Sequence, residues 1–166
     1  KGLGIDKTVK LIRGKKGTKV ELGILREDDL LEITLIRDKI EINVVNSRIN
    51  ITDKGIKIGY LRLKQFNAKS PKEMSLSLKK LEQEKPLGYV LDLRSNPGGL
   101  LESSIEIAKQ WINKGIIVST KTKDGITDIR RAKGRAITNR PVVVLIDEGS
   151  ASASEILSGA IKDNNR

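Results

Sequence analysis

Three serines alternate with two alanines in "GSASASE" (149–155). The stretch lies directly between the apolar run "PVVVLID" and a helix-like segment. A hydroxyl in the first turn of a helix sits where the dipole and the unpaired amides favour developing negative charge. That position suits a nucleophile, and the small neighbours leave room for a substrate backbone. The pattern differs from the G-x-S-x-G elbow, because Ala153 stands where the second glycine would be. The same residues also read as an N-cap serine with small spacers, and residue types alone leave both readings open. A second unusual turn, "RSNPGG" (94–99), follows another buried-strand pattern. Gly98 and Gly99 accept positive φ and close approach, and amides freed there can face an oxyanion. The turn reads equally as a tight strand-to-helix connection.

The 166 residues contain no histidine and no cysteine. A Ser-His-Asp triad, thiolate chemistry and disulfides are therefore excluded within this chain. No metal site and no cofactor is expected.

Both turns need elements to hold them. "LGYVLDL" from Leu87 and "PVVVLID" from Pro141 are apolar with little alternation, as strands covered on both faces are. After the first, "LLESSIEIAKQWI" places Leu101, Ile105, Ala108 and Ile112 at helical spacing. After the second, a helix is expected from Ser152 to Asp163. Strand, turn and helix in repetition imply parallel strands and an α/β domain. Functional groups in such sheets gather at the carboxyl ends of strands, where these two turns lie. "GIIVST" (115–120) reads as a further strand and 121–140 as a polar hairpin or loop. Upstream, Asp6 is expected to cap a short helix that Gly14 ends, and "TKVELGILR" and "LLEITLIRD" read as strands. "KIEINVV" (39–45) and "GIKIGYLRL" (55–63) are expected strands. Ser70-Pro71-Lys72-Glu73 reads as an N-cap, a first-turn proline and a capping-box glutamate.

The formal net charge is +11, but the basic residues form separate short runs and aromatics make up only 2%. A base-stacking platform needs aromatics, so the charge reads as a solvated surface and no nucleic-acid partner is expected.

Taken together, "GYVLDLRSNPGGLLESSIEIA" and "PVVVLIDEGSASASEILSGAIKD" resemble the carboxyl-terminal processing peptidases, or tail-specific proteases. "IGYLRLKQF" (58–66) is similar to the family's first core strand, and "TVKLIRGKKGTKVELGILR" to the end of its PDZ domain. The resemblance implies an α/β fold: a Clp-protease/crotonase-like core with parallel strands and packed helices, preceded by the C-terminal part of a PDZ domain. The implied domains are a partial PDZ domain at 1–38 and a peptidase core at 39–166, truncated before the expected catalytic lysine. "GLGI" (2–5) is similar to a PDZ carboxylate-binding loop, but it precedes a helix where that loop leads into a strand. It reads as a loop before a cap.

The resemblance also implies a Ser-Lys serine endopeptidase that cleaves protein or peptide substrates with free C-termini. Ser152 matches the nucleophile. Ala153 and the glycine turn, Gly98 above all with Gly99 beside it, match the oxyanion hole. Glu155 and Asp163 match supporting acidic positions. The family's base lies on a strand downstream, and Lys162 is the only lysine after Ser152. Ten residues of helix separate the two by about 15 Å along the axis, beyond hydrogen-bond reach. The chain is thus expected to be an inactive fragment of an extracytoplasmic enzyme, periplasmic or membrane-associated. Homo-oligomerisation of the full protein is left open. The alternative reading is a non-catalytic peptide-binding or scaffold module of the same fold.

Overall fold

In a computed structural model that describes residues 4–38, 43–123 and 125–166, the chain forms two units, Lys1–Ile42 and Asn43–Arg166. The division falls four residues beyond the boundary expected at 38. Of the strand expected at 39–45, residues 39–42 lie outside the described residues. So do Gly2 and Leu3 of "GLGI".

The first unit holds α1 (Ile5–Ile12) and an antiparallel hairpin of β1 (Lys19–Arg26) and β2 (Asp29–Ile36). Asp6 lies inside the first turn of α1, and the N-cap is Gly4. Gly14 does not end the helix through its own backbone. Arg37 does so, with Nε donating to the Ile12 carbonyl at 2.7 Å and Nη2 to that of Leu11 at 3.1 Å. These carbonyls are among those a helix end leaves unpaired. A Cβ on Gly14 would lie 2.7 Å from Arg37 Nε, so the glycine makes room for the arginine. No described residue of this unit is buried.

In the second unit a four-stranded sheet runs in the order β3-β4-β5-β8. Its strands are β3 (Val45–Ile51), β4 (Lys57–Leu63), β5 (Gly88–Asp92) and β8 (Val142–Leu145). β4, β5 and β8 are parallel, while β3 pairs antiparallel with β4, so the sheet is mixed rather than purely parallel. The helices are α2 (Ser70–Gln83), α3 (Leu101–Trp111) and α4 (Ala153–Asp163). Leu61, Leu63 and Leu91 from the strands, with Leu93 just past β5, meet Met74, Leu78, Ile105, Trp111 and Leu157 from the helices in one core. Of the apolar face expected for α3, Ile105, Ala108 and Ile112 are buried, whereas Leu101 is 47% exposed and Ser104 is buried.

"GIIVST" does not join the sheet. It belongs to β6 (Lys114–Thr122), which among the described residues pairs with β7 (Gly125–Lys133) alone, as an antiparallel ribbon. The polar hairpin expected from 121 therefore begins seven residues earlier. The start of α2 also differs from expectation. Lys69 is its N-cap, and Glu73 reaches out of the helix to accept the amides of Val44 and Val45 at 2.8 and 3.1 Å. The capping-box glutamate thus fastens the entry to β3. Among the described residues, no helix is long and apolar enough to cross a membrane.

Candidate active site

β5 and β8 are neighbours and parallel, with Asp92 opposite Leu145. The Leu93 amide donates to the Leu145 carbonyl at 2.9 Å and carries the pairing one step further. The two turns that leave these strands therefore emerge side by side on one edge of the sheet, where α/β folds place ligands.

The first turn starts from a buried carboxylate. Asp92 accepts the Tyr60 hydroxyl at 2.6 Å, the Arg94 amide at 3.0 Å, and Arg94 Nε and Nη2 at 2.9 and 2.7 Å. The bonds from the Arg94 guanidinium, with those from Tyr60 and the Arg94 amide, hold the Asp92 carboxyl well below its usual range despite the opposing cost of burial. Burial and the bond to Asp92 in turn push the Tyr60 hydroxyl up. Ser95 follows with φ of +57°. Asn96 is fully buried and uses every polar group it has. Its Nδ2 donates to the Leu63 carbonyl at 2.9 Å, and its Oδ1 accepts the Gly98 amide at 2.9 Å. Its carbonyl accepts the Ala151 amide at 3.1 Å and the buried Ser154 hydroxyl at 2.9 Å. Asn96 thereby ties the first turn to the end of β4 and to the second turn at once. Gly98 and Gly99 are pinned to Phe66, whose amide donates to the Gly98 carbonyl at 2.9 Å and whose carbonyl accepts the Leu100 amide at 2.8 Å.

The second turn is organised by Asp147. Its Oδ1 accepts the amides of Ser95 at 2.7 Å and Gly149 at 3.0 Å, and its Oδ2 the Ser95 hydroxyl at 3.1 Å. The Ser150 hydroxyl accepts the Asp147 amide at 3.0 Å and lies 2.9 Å from the Leu93 carbonyl and 3.1 Å from Asp147 Oδ1. Ser152 comes next, exposed, with φ 53° and ψ −111°, as the N-cap of α4. Such a backbone costs roughly 1–3 kcal/mol for a non-glycine residue and is held by its surroundings. Its own amide donates to Glu155 Oε2 at 2.7 Å.

The two turns touch. A Cβ on Gly98 would lie 2.7 Å from the Ala151 carbonyl oxygen, 2.9 Å from Ser152 Cβ and 3.0 Å from the Ala153 nitrogen. The fold thus brings Gly98, Ser152 and Ala153 together, and Glu155 joins them through the Ser152 amide. The Gly98 amide does not point at a free site, because Asn96 Oδ1 holds it. The amides of Gly99 and Ala153 have no partner among the described residues. Asp163 is not brought to the site. It is exposed at the far end of α4, about 16 Å along the axis from Ser152.

Comparison with known proteins decides the family. The profile of peptidase family S41 matches residues 57–166. The chain belongs to peptidase family S41. This S41 chain is 43% identical over 166 residues to the carboxyl-terminal-processing protease of Synechocystis sp., covering 99% of the chain and 39% of that protein. It is 39% identical over 170 residues to the chloroplastic carboxyl-terminal-processing peptidase 2 of Arabidopsis thaliana, covering 99% and 33%. The solved photosystem II D1 C-terminal processing protease superposes with a TM-score of 0.71 at 30% identity, covering 99% of this chain and 46% of that one. The S41 chain spans about two fifths of the length of the curated relatives it matches first.

Asp92, Asn96 and Asp147 hold the two turns in place and escaped the reading of the sequence. An Asx residue inside a turn is a signal for local hydrogen bonding, and both Asn96 and Asp147 carry it. The signal does not reveal bonds to residues more than thirty positions away.

Proposed function

We propose that this chain is the nucleophile-bearing part of a serine peptidase that processes protein substrates near their C-termini. The observation that supports the reading best is the placement of Ser152. It is exposed and backbone-strained, it heads a helix, and it is followed by the Ala153 amide, which has no partner among the described residues. In the proposed reaction Ser152 Oγ attacks the scissile carbonyl carbon while a neutral lysine takes its proton. The carbonyl electrons move onto oxygen, which the amides of Ala153 and Gly99 receive. Collapse breaks the C–N bond, and the protonated base supplies the leaving amine with a proton. Water then releases the acyl group by the same steps.

Gly98 serves chiefly by lacking a side chain where the helix start approaches, and its amide joins the oxyanion hole only on release from Asn96. Glu155 fixes the Ser152 amide. Asp163 acts, if at the reacting centre at all, through other groups, because α4 holds it far from Ser152.

The base lysine in this proposal lies outside the 166 residues. Lys162 is exposed near the end of α4, remote from Ser152. A groove of about 550 Å³ beside β8, lined by Val142, Val144, Ile146, Glu155, Ser158 and Lys162 among others, has the place and apolar lining to take one more strand. β8 is the edge strand there. The first unit is proposed as the carboxyl half of a PDZ module that captures free C-termini by strand addition. Its uncovered apolar residues, Leu25, Leu30 and Ile36 among them, fit a domain whose remaining part would cover them. The proposed extracytoplasmic location, membrane association and self-association of the full protein rest on the family resemblance.

The test is cleavage of an unstructured protein by the full-length peptidase containing this chain. Ser152→Ala is expected to lower kcat by at least about 10³-fold, and the 166-residue chain alone is expected to be inert. Cleavage that survives Ser152→Ala overturns the nucleophile. Ser152-dependent turnover by the 166 residues alone overturns the external base. Absence of any cleavage by the full-length protein favours the scaffold reading.

A further inference from the structure

We propose that Asp147 is the positioning residue of this site: its carboxylate locks the turn after β5 onto the turn after β8 and so sets where Ser152 stands against Gly98. The kinetic consequences rest on the peptidase reading above, whereas the lock itself does not.

Both carboxylate oxygens of Asp147 are engaged, and the partners come from both turns. The bond to the Gly149 amide is local. The two bonds from Ser95, one from its amide and one from its hydroxyl, join residues 52 positions apart. A local Asx turn would need only the first of these. The backbones meet at the same point, since a Cβ on Gly149 would lie 2.9 Å from Ser95 Cα. Ser95 is itself held at φ +57°, a conformation that needs outside support, and the carboxylate that accepts both its amide and its hydroxyl supplies it. The Ser95 amide above all keeps the Asp147 carboxyl below its usual range, so the accepting group is ionised near neutrality and its bonds are charge-assisted.

The lock reaches Ser152 through a short path. The Asp147 amide donates to Ser150 Oγ, and that hydroxyl also lies against the Leu93 carbonyl. The Ala151 amide then donates to the Asn96 carbonyl. Every residue from Asp147 to Ala151 except Glu148 is thereby tied to the first turn or to Asp147, and Ser152 is the next in the chain. Asp147 does not touch the reacting atoms. Its role is to fix the direction in which the chain enters Ser152.

The experiment compares Asp147→Ala, Asp147→Asn and Ser95→Gly in the full-length protein, measuring kcat, KM and amide hydrogen exchange. In Asp147→Ala, kcat is expected to fall about 100-fold with KM nearly unchanged, the effect of a misplacement of about 1 Å. Exchange at Ser95, Gly149 and Ala151 is expected to speed by at least about tenfold, as fits a local opening. Asp147→Asn keeps a carbonyl acceptor for the Ser95 and Gly149 amides and is expected to recover most of kcat. Ser95→Gly tolerates the positive φ and loses only the hydroxyl bond, so its kcat is expected to drop a few-fold. If Asp147→Ala does not fold, the asparagine and glycine variants carry the test. Faster exchange with unchanged kcat would overturn positioning, and unchanged exchange would overturn the lock. Cleavage that persists in Ser152→Ala would count against the peptidase reading alone, and exchange would still decide the lock.

Discussion

The two strand-turn-helix units at the site are built alike and present different things. β5 leads through Ser95–Gly99 into α3, and β8 leads through Asp147–Ser152 into α4. The first turn offers backbone. Its central Asn96 is buried, Gly98 and Gly99 have φ of +99° and +138°, and Leu100, the N-cap of α3, has ordinary extended geometry. The second turn offers a side chain. At the point of contact it places Ser152, a positive-φ serine exposed at the helix start. One turn can use glycine because it needs no side chain at the point of contact. The other holds a non-glycine residue, Ser152, at φ 53° by bonds from its neighbours, and on the proposed reading the hydroxyl is what it keeps there. The contrast continues within one helix turn. Ser152 is exposed, and Ser154, two residues on, is buried with its hydroxyl on the Asn96 carbonyl. Similar local sequences acquire opposite roles because parallel pairing of β5 and β8 sets one turn against the other.

The sharpest way to break this complementarity is to add a methyl to the turn that must lack one. Gly98→Ala is expected to destabilise the protein by about 3 kcal/mol, since a positive φ and a clash with the Ala151 carbonyl act together. Gly55→Ala is the control. It has φ of +76° but nothing within 4 Å of the added atom, so a loss of about 1 kcal/mol is expected. Urea unfolding of the two variants measures the difference, and equal losses would mean that the turns do not press on each other.

Ser154→Ala removes the hydroxyl that fastens the second helix to the first turn and leaves the Asn96 carbonyl with only the Ala151 amide. A loss of about 1–2 kcal/mol is expected. Ser150→Ala should cost about 1 kcal/mol, because its half-buried hydroxyl bridges the Leu93 carbonyl and the Asp147 amide. A reversed order would mean that Ser150 carries more of the inter-turn bonding than Ser154.

The smallest effect expected is a pH dependence confined to acid. The folded-state value of the Asp92 carboxyl is depressed, so the ionised form stabilises the fold above its ordinary value of 3.8, and this contribution is lost as pH falls below that value. Unfolding midpoints measured from pH 6 down to 2.5 should fall for the native protein and fall less steeply for Asp92→Asn. Parallel curves would remove Asp92 as the anchor of the first turn.

The parallel centre of the fold was legible because "LGYVLDL" and "PVVVLID" are continuous apolar runs, each followed by a turn and a helical pattern. The position of Ser152 was legible for the same reason. β3 was missed apart from Val45, since the strand expected at 39–45 does not extend past it and the residues "VNSRINI" of this edge strand are mostly exposed and show no clean alternation. The ribbon of β6 and β7 was placed late, since its first strand looks like a buried sheet strand until its partner is known. Glu73 was misread because the helix starts one residue earlier than expected, so Glu73 is its fourth residue and turns outward to Val44 rather than back to the cap. Asn96 and Asp147 stayed hidden for a deeper reason: their decisive partners are 33 to 58 residues away and become neighbours only when β4, β5 and β8 align.

The most direct measurement is covalent trapping of the reacting serine. The full-length protein is incubated with a peptide bearing a C-terminal diphenyl phosphonate, which forms a stable P–O bond to a reactive serine with loss of phenol, then digested and mapped by mass spectrometry. The account predicts a single adduct on Ser152, absent in Ser152→Ala and retained in Ser150→Ala and Ser154→Ala. An adduct on Ser150 or Ser154, or one that survives Ser152→Ala, would contradict it.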